Sequence, residues 1–331
     1  MRVITGASGH IGGVLARALV GRHDTCPVRA IFRRGQGTAA DLDVEWVNGD
    51  ILDKESLVTA FTGAEVVFHL AAMVSLDPGR AKEVHTTNVS GTRNVVEAAL
   101  ECGVRRLIHF SSIQAYNQYP LDEVLDESRG SADGSRHDAY DRSKAVGEVE
   151  IRRGIDRGLD AVILNPTGVI GPFDGGPSHM GQFFLDLHRR KIPAQVAGGF
   201  DVVDVRDVVD AAVAAETQAK CGENYLLSGG WHSMCNLALM SQQVTGVKAP
   251  RLVLPMFVAR FWAPFQVILD RSRGRRLLYT PAALRAMSGS NRRISSAKAQ
   301  AELGFRSRPL ADSVRDTYQW FDERGMLGEN G

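Results

Sequence analysis

The chain has 331 residues, 44% of them hydrophobic and 23% charged, with a formal net charge of +1 at pH 7. That length allows one large domain or two around a substantial core, and the near-neutral balance gives no basic footprint for nucleic acid. The four cysteines, Cys26, Cys102, Cys221 and Cys235, form no C-x-x-C pair, so neither a zinc site nor a disulfide framework is indicated and no other metal site is expected.

The chain runs from Met1 directly into an apolar strand, Met1–Ile4, with no signal-peptide pattern, and a cytoplasmic protein with reduced thiols is expected. Thr5-Gly6-Ala7-Ser8-Gly9-His10-Ile11-Gly12 follows, then a helical run from Gly13 to Val20. Strand, glycine loop and helix is the setting a dinucleotide fingerprint requires. Gly6 permits the tight turn, Gly9 a close approach to pyrophosphate, and Gly12 close packing of the helix. The helix start, with Ser8, His10 and Ile11, then offers N–H groups to phosphate. The spacing is G-x-x-G-x-x-G, a variant of the commoner G-x-G-x-x-G.

A second strand, Pro27–Phe32, ends in Arg33-Arg34, with no acid before Asp41. An NAD site usually places Asp or Glu there to hold the ribose 2′-OH, whereas two guanidiniums suit a 2′-phosphate. NADP is therefore expected, with NAD as the alternative; a solvated basic turn would look the same. Val44–Val47 reads as the third strand, and Asp50 beyond it could meet the adenine edge. Lys54–Phe61 reads as helix and Ala64–Leu70 as a buried strand. Ala71-Ala72-Met73 follows, small enough to leave room for a ligand. Asn88–Cys102 reads as a helix closed by Gly103, and Arg106–Phe110 as a strand leading to Ser111-Ser112.

Residues 117–138, rich in Asp, Ser and Gly, read as an irregular surface loop over the site. Tyr140 opens the next helix, and Lys144 lies four residues on, one turn away on the same face. A phenol has an ordinary pKa of about 10. A nearby ammonium lowers it, which suits proton transfer to a substrate oxygen. Tyr-x-x-x-Lys alone also describes an exposed helix pair. Leu159–Leu164 is a sixth strand with a turn-rich exit, Asn165–Pro172. Such alternation indicates a doubly wound parallel sheet, whose ligands bind at the C-terminal strand ends.

Beyond Pro172 a helix within 177–190 carries Phe183, Phe184 and Leu187. A strand and an alanine-rich helix fill 202–216, Asn224–Ser228 rejoins the sheet, and helix dominates from Trp231. Residues 1–172, rejoined by 201–230, are expected to form the dinucleotide domain. Residues 173–200 and 231–331 form a smaller, mostly helical substrate region, in one compact unit with the first. Leu252–Leu269 is the most apolar long window, but Pro255, Arg260 and Pro264 interrupt it, so it is not read as spanning. A peripheral membrane contact is left open. Arg271, Arg273, Arg275 and Arg276, with Arg292 and Arg293 beyond, read as a solvated face, an anion contact being the alternative.

With these residues together, the chain resembles the extended short-chain dehydrogenase/reductase family of the NAD-dependent epimerase/dehydratase superfamily. The carriers are the glycine loop at 5–12, Asn-Gly-Asp-Ile-Leu-Asp at 48–53, His-Leu-Ala-Ala at 69–72, Asn-Val-Ser-Gly-Thr-Arg-Asn-Val at 88–95, Ser-Ser-Ile-Gln-Ala-Tyr at 111–116 and Tyr-Asp-Arg-Ser-Lys at 140–144. Asn-Pro-Thr-Gly-Val-Ile-Gly-Pro at 165–172 and Gly-Glu-Asn-Tyr-Leu-Leu-Ser-Gly at 222–229 are most similar to the dihydroflavonol reductase-like branch, which also resembles 3β-hydroxysteroid dehydrogenases.

The resemblance implies a Rossmann-type fold in which Ser112 is the catalytic serine and Tyr140 the acid/base. Lys144 holds the ribose and lowers the tyrosine's pKa. Asp50 and Ile51 touch adenine, while Leu70, Ala71 and Ala72 line the cofactor cleft. Pro166, Thr167 and Val169 face the nicotinamide, and Arg33, with Arg34, meets the 2′-phosphate. The implied reaction reduces the carbonyl of a small apolar or aromatic molecule, or runs in reverse. A nucleotide-sugar epimerase or dehydratase with retained NAD is the alternative, although such members commonly carry Asn where this chain has Gly168. A non-catalytic NADP-sensing regulator is a third reading, which the retained serine, tyrosine and lysine disfavour. Phe183, Phe184, Met256, Phe257, Phe261, Trp262 and Phe265 could line an apolar pocket for an aromatic or steroid-like ketone, although aromatics at helical spacing read first as core, and a homodimer is left open.

Overall fold

The structure is a computed structural model and describes the chain except residues 23–25, 76, 135–136, 262, 264–279 and 329–331. The first half alternates strand and helix. β1 (Arg2–Thr5), β2 (Val28–Phe32), β3 (Glu45–Asn48), β4 (Val66–His69), β5 (Arg106–Phe110) and β6 (Ala161–Pro166) come in that order. Between them lie α1 (His10–Val20), α2 (Lys54–Phe61), α3 (Ala81–His85), α4 (Gly91–Glu101) and α5 (Ala139–Ile155). The remaining strands are β7 (Gly168–Ile170), β8 (Gln195–Val196), β9 (Gly199–Asp204), β10 (Asn224–Leu227), β11 (Trp231–Ser233) and β12 (Val253–Leu254). The remaining helices are α6 (His179–His188), α7 (Val205–Ala215), α8 (Met234–Thr245), α9 (Pro281–Gly289), α10 (Ala297–Leu303) and α11 (Leu310–Glu323).

The main sheet has the order β10-β6-β5-β4-β1-β2-β3, and each neighbouring pair is parallel. A strand covered on both faces must be apolar on both, as Val66-Val67-Phe68 and Leu107-Ile108 are. On one face Val14, Leu15 and Leu19 of α1 meet Val205, Val208 and Val209 of α7 over Ile4 and Phe68. On the other, Leu57, Phe61, Val95, Val96 and Ile151 cover Val3, Val67 and Leu107. Burying each such side chain contributes about 1.5–3 kcal/mol. The chain leaves β1 toward β2 and β3, then returns across it to β4, so the order reverses beside β1. A crevice opens at that switch point, outside the carboxyl ends of the strands.

Three local features differ from the sequence expectation. The helix expected from Asn88 already begins at Ala81, passes through a π-helical turn at Thr86–Ser90 and continues as α4. The wider turn aims Asn88 inward, where it accepts from the Met73 amide at 2.7 Å and donates to the Met73 carbonyl at 3.0 Å. The exit at Asn165–Pro172 is not all turn: β7 pairs with β9 in a three-stranded sheet, order β11-β9-β7, which carries the chain out of the main sheet. Trp231, expected to begin a helical region, opens β11 because it pairs antiparallel with Asp201.

The loop at 117–138 is irregular but not loose. Leu125 is fully buried, and Asn291 donates to the carbonyls of Gln118, Pro120 and Glu123 at 3.0–3.2 Å. The second part has its own core: Phe183, Phe184 and Leu187 pack with Leu237, Tyr318 and Phe321. The Tyr318 hydroxyl donates to the Phe184 carbonyl at 2.7 Å. Among the described residues no helix is long and apolar enough to cross a membrane.

Candidate functional site

The glycine loop is shaped by what it excludes. Gly6 has φ +73°, and a Cβ there would lie 2.7 Å from the Ala71 amide nitrogen. A Cβ on Gly12 would run into the Gly6 carbonyl oxygen. Both positions therefore demand glycine, one for backbone conformation and one for close approach. The Gly9 amide closes the turn onto the Gly6 carbonyl at 3.0 Å. Gly9 then caps α1 without any side-chain hydrogen bond. The first N–H groups of α1 thus lack an acceptor on their own helix and no cap side chain takes them, as an anion site requires.

A cleft of about 250 Å³ opens from this loop, lined by Thr5, Gly6, Ser8, Gly9, Ile31, Arg33, Gly49, Asp50, Ile51, Leu70, Ala71, Ala72 and Thr87. It gathers nine of the expected residues: Gly6, Ser8, Gly9, Arg33, Asp50, Ile51, Leu70, Ala71 and Ala72. Thr5, Ile31, Gly49 and Thr87 join them without having been singled out. Thr5 belongs to the glycine motif, and its Oγ accepts from the Ala71 amide at 3.2 Å and bonds His69 Nδ1 at 2.8 Å. Thr87 reaches the cleft from the π-helical turn, which the sequence pattern did not reveal.

Arg33 stands 3.6 Å from Asp50 across the cleft, with both side chains about half in solvent. An ion pair this exposed is worth about 0–1 kcal/mol, so a ligand phosphate can replace the carboxylate at little cost. Arg34 is exposed and does not line the cleft. His10, Ile11 and Gly12 open α1 and do not line the cleft, and His10 Nε2 bonds the Pro172 carbonyl at 2.9 Å. Pro166, Thr167 and Val169 lie on the other side of the switch point, where the Thr167 hydroxyl donates to the Leu227 carbonyl at 3.4 Å and Val169 packs on the core.

The second cluster sits at the ends of β5 and β6. Ser112 follows β5, where its Oγ accepts from the Gln114 amide at 3.2 Å, and its hydroxyl neighbours the Tyr140 phenol at the start of α5. One turn on, Lys144 is buried and donates to the Phe110 carbonyl at 2.9 Å. Burial pushes the Tyr140 phenol up to about 12, against which the Ser112 hydroxyl works. Burial also pushes Lys144 down to about 8. The expected lowering of the phenol by the ammonium is therefore not the ruling effect. Desolvation rules, Ser112 opposes it, and the ammonium is drawn onto the β5 carbonyl.

The backbone around Tyr140 is held by residues the motif reading did not assign. Ser143 donates to the Tyr140 carbonyl at 2.7 Å and accepts from Asn88 at 2.9 Å. Asn88 thus ties α5 to the chain leaving β4. Beside Lys144, His69 and His109 pack ring against ring at 5.1 Å. Burial holds His69 down to about 3 and His109 well below the ordinary imidazole range. Both are neutral at neutral pH.

Of the residues read as core or as pocket lining, the described ones divide between core and surface. Phe183 and Phe184 are core residues, the latter edge-on to Tyr318 at 5.7 Å. Met256 packs against the same core, whereas Phe257 and Phe261 are 74% and 68% exposed. Helical spacing marks such residues as buried on one side but cannot name the partner. Trp262, Phe265 and the cluster Arg271, Arg273, Arg275 and Arg276 lie outside the described residues. Arg292 stacks on Trp231 at 4.6 Å, and Arg293 donates to the Asp122 carbonyl at 3.1 Å. Among the described residues no group of His, Cys, Asp and Glu could hold a metal ion.

The chain is similar to known proteins over nearly its whole length. Residues 2–228 match the model of a family described as the NAD dependent epimerase/dehydratase family. Sterol demethylase protein B of Methylococcus capsulatus is 35% identical over 98% of this chain and 99% of its own length. The human 3 beta-hydroxysteroid dehydrogenase type 7 is 27% identical over 97% of this chain and 93% of its own. Among solved structures, the crystal structure of gox2253 is 33% identical and superposes with a TM-score of 0.84 over 98% of this chain and 99% of the other.

Proposed function

The chain belongs to the NAD dependent epimerase/dehydratase family, and from that premise we propose that it is an NADP-dependent oxidoreductase interconverting a ketone and an alcohol on an apolar molecule. The observation that carries the reading is the grouping of Ser112 with Tyr140, and of Lys144 one turn away, at the strand ends beyond the glycine cleft. The residues fit a dinucleotide: Gly6 and Gly12 admit no side chain, the start of α1 is uncapped, and the Ala71 backbone closes on the loop. A nicotinamide cofactor, when bound, supplies or accepts the hydride.

The chain's own groups do the rest. Gly6, Ser8 and Gly9 with the start of α1 hold the pyrophosphate. Asp50 and Ile51 border the adenine, and Arg33 takes the 2′-phosphate in a forked hydrogen bond, with Arg34 adding charge from the surface. Leu70, Ala71 and Ala72 leave the cleft passable, and Pro166, Thr167 and Val169 border its far end. Ser112 and Tyr140 hold a carbonyl oxygen between their hydroxyls. Tyr140 gives its proton to that oxygen as negative charge develops, and takes it back in the reverse direction. Burial keeps Tyr140 protonated, so it begins as the acid. Lys144 places a positive charge beside the oxygen and holds the ribose.

The first substrate class to test is a 3-hydroxysteroid or the corresponding ketone, since two relatives carry sterol or hydroxysteroid in their names. The family description keeps a second reading in play, an epimerase or dehydratase of nucleotide sugars with retained NAD. Purified protein is incubated with NADPH or NADH and a panel of 3-ketosteroids, aromatic ketones, aldehydes and UDP-sugars, and the absorbance of the reduced nicotinamide is followed. Consumption of NADPH in step with alcohol formation is expected. Turnover of a UDP-sugar without net cofactor consumption would replace this reading with the second.

A further inference from the structure

Glu148 lies one turn beyond Lys144 and two beyond Tyr140 on α5, so the three side chains share one stripe of the helix. Its carboxylate is gripped by two amides. Asn165 Nδ2 donates to Oε1 at 2.7 Å, and Asn224 Nδ2 donates to Oε2 at 2.9 Å. The same Asn165 nitrogen also donates to the Ser112 carbonyl at 3.1 Å, while Asn165 Oδ1 accepts from Asn224 at 2.9 Å. Asn224 Oδ1 accepts in turn from Arg152 at 2.5 Å. Both asparagines are buried, at 0% and 4% exposure. Turning the Asn165 amide over would set its oxygen against both a carboxylate and a carbonyl, so the network admits one orientation.

We propose that Glu148 is a positioning residue for the reaction, its carboxylate fixing the carbonyl end of Ser112 through Asn165 and presenting a negative charge to Lys144. The proposal deepens the reading of Ser112, Tyr140 and Lys144 given above and rests on it. The groups facing Lys144 support the second part. From β4 and β5 come His69 and His109, both neutral at neutral pH, and the Phe110 carbonyl, which accepts from Nζ at 2.9 Å. From its own helix comes Glu148. Burial drives the lysine toward the uncharged amine, and Glu148 opposes it. Arg152 donates to Asn224, one of the two amides that grip the carboxylate, and the charge of Glu148 is felt at Tyr116. Glu148 thereby links the two polar groups that flank Tyr140.

The test uses the full chain with isotope-labelled lysine and serine, read by NMR. The Lys144 side-chain resonance is identified by its loss in Lys144→Met, and the Ser112 carbonyl resonance by its loss in Ser112→Ala. The parent Lys144 is expected to titrate near about 8. In Glu148→Gln its midpoint moves to lower pH by about one pH unit, because an opposite charge one turn away is removed. In Asn165→Ala the Ser112 carbonyl resonance moves while the protein stays folded by circular dichroism. A merely structural role would lower thermal stability and leave both resonances in place. A parent-like Lys144 midpoint in folded Glu148→Gln overturns the proposal. Should that variant not fold, Asn165→Ala decides, and an unmoved Ser112 resonance overturns it. Neither readout needs a substrate. Parent NADPH binding and the inactivity of Tyr140→Phe are separate measurements, so the underlying reading can fail without this one and this one without it.

Discussion

The two parts of the proposed site are built by opposite means. At the reacting end the polar groups are withdrawn from water: Lys144, His69 and His109 are buried, and Tyr140 has its phenol pushed up to about 12. At the end proposed for adenosine, Arg33 and Asp50 are 54% and 35% exposed, 3.6 Å apart. Desolvation shifts proton affinities by whole units, whereas an exposed ion pair contributes little energy and can be exchanged. The difference separates two tasks. In the proposed reading the buried end sets the chemistry, and the exposed end chooses the cofactor.

Four changes break or sharpen that contrast. The largest effect is expected from Tyr140→Phe, which removes the proton donor and leaves the ring in place. Turnover should fall about 10³-fold while the Kd for NADPH, measured by fluorescence titration, changes less than about threefold. Arg33→Ser at the other end should do the reverse. NADPH should bind about tenfold more weakly, NADH should be little affected, and the turnover number at saturating cofactor should hold. An equal loss for both cofactors would show that Arg33 does not read the 2′-phosphate.

The pH dependence comes next. Lys144 is an ammonium below its midpoint near about 8 and an amine above it. The reduction rate at saturating NADPH should therefore be steady at neutral pH and decline as pH rises through that value, up to about tenfold per pH unit. A rate that stays flat to pH 10 would remove the lysine's charge from the mechanism. The smallest effect concerns Asp141, beside Tyr140, whose carboxyl burial raises to about 7. A carboxyl with a raised folded-state pKa binds its proton more tightly when folded. It therefore costs stability as pH climbs from its ordinary value near 4 through 7. Asp141→Asn should raise Tm by about 2 °C at pH 8 and leave it near the parent value at pH 4, by differential scanning fluorimetry.

The same contrast governs what could be read from the residues alone. The glycine loop was legible because Gly6 and Gly12 are required by backbone geometry within seven residues of chain. Tyr140 and Lys144 were legible because their relation is one turn of one helix. Strand–helix alternation carried the doubly wound sheet for the same local reason. The network behind Ser112 was not legible, since it joins Glu148, Asn165 and Asn224 from one helix and two strands. Asn88 lay inside a motif, but its bonds to Met73 and Ser143 depend on a π-helical turn that no spacing rule marked. Phe183 and Phe184 were legible as apolar and helical. Their partners, Tyr318 and Phe321, lie more than a hundred residues away, so core and substrate pocket could not be told apart. The tyrosine's ruling influence, burial, also comes from tertiary packing, which is why the charge of Lys144 was overweighted.

The most direct test of the central claim is the fate of the hydrogen at nicotinamide C4. Protein, NADPH deuterated at C4 and a 3-ketosteroid are allowed to react, and the product is examined by mass spectrometry. Deuterium on the carbinol carbon, in an amount equal to the NADPH oxidised and absent with Tyr140→Phe, is the predicted result. The account would be contradicted by label transfer that proceeds at the parent rate in Tyr140→Phe. It would equally be contradicted by a UDP-sugar turning over with no net NADPH oxidised while the ketones go unreduced.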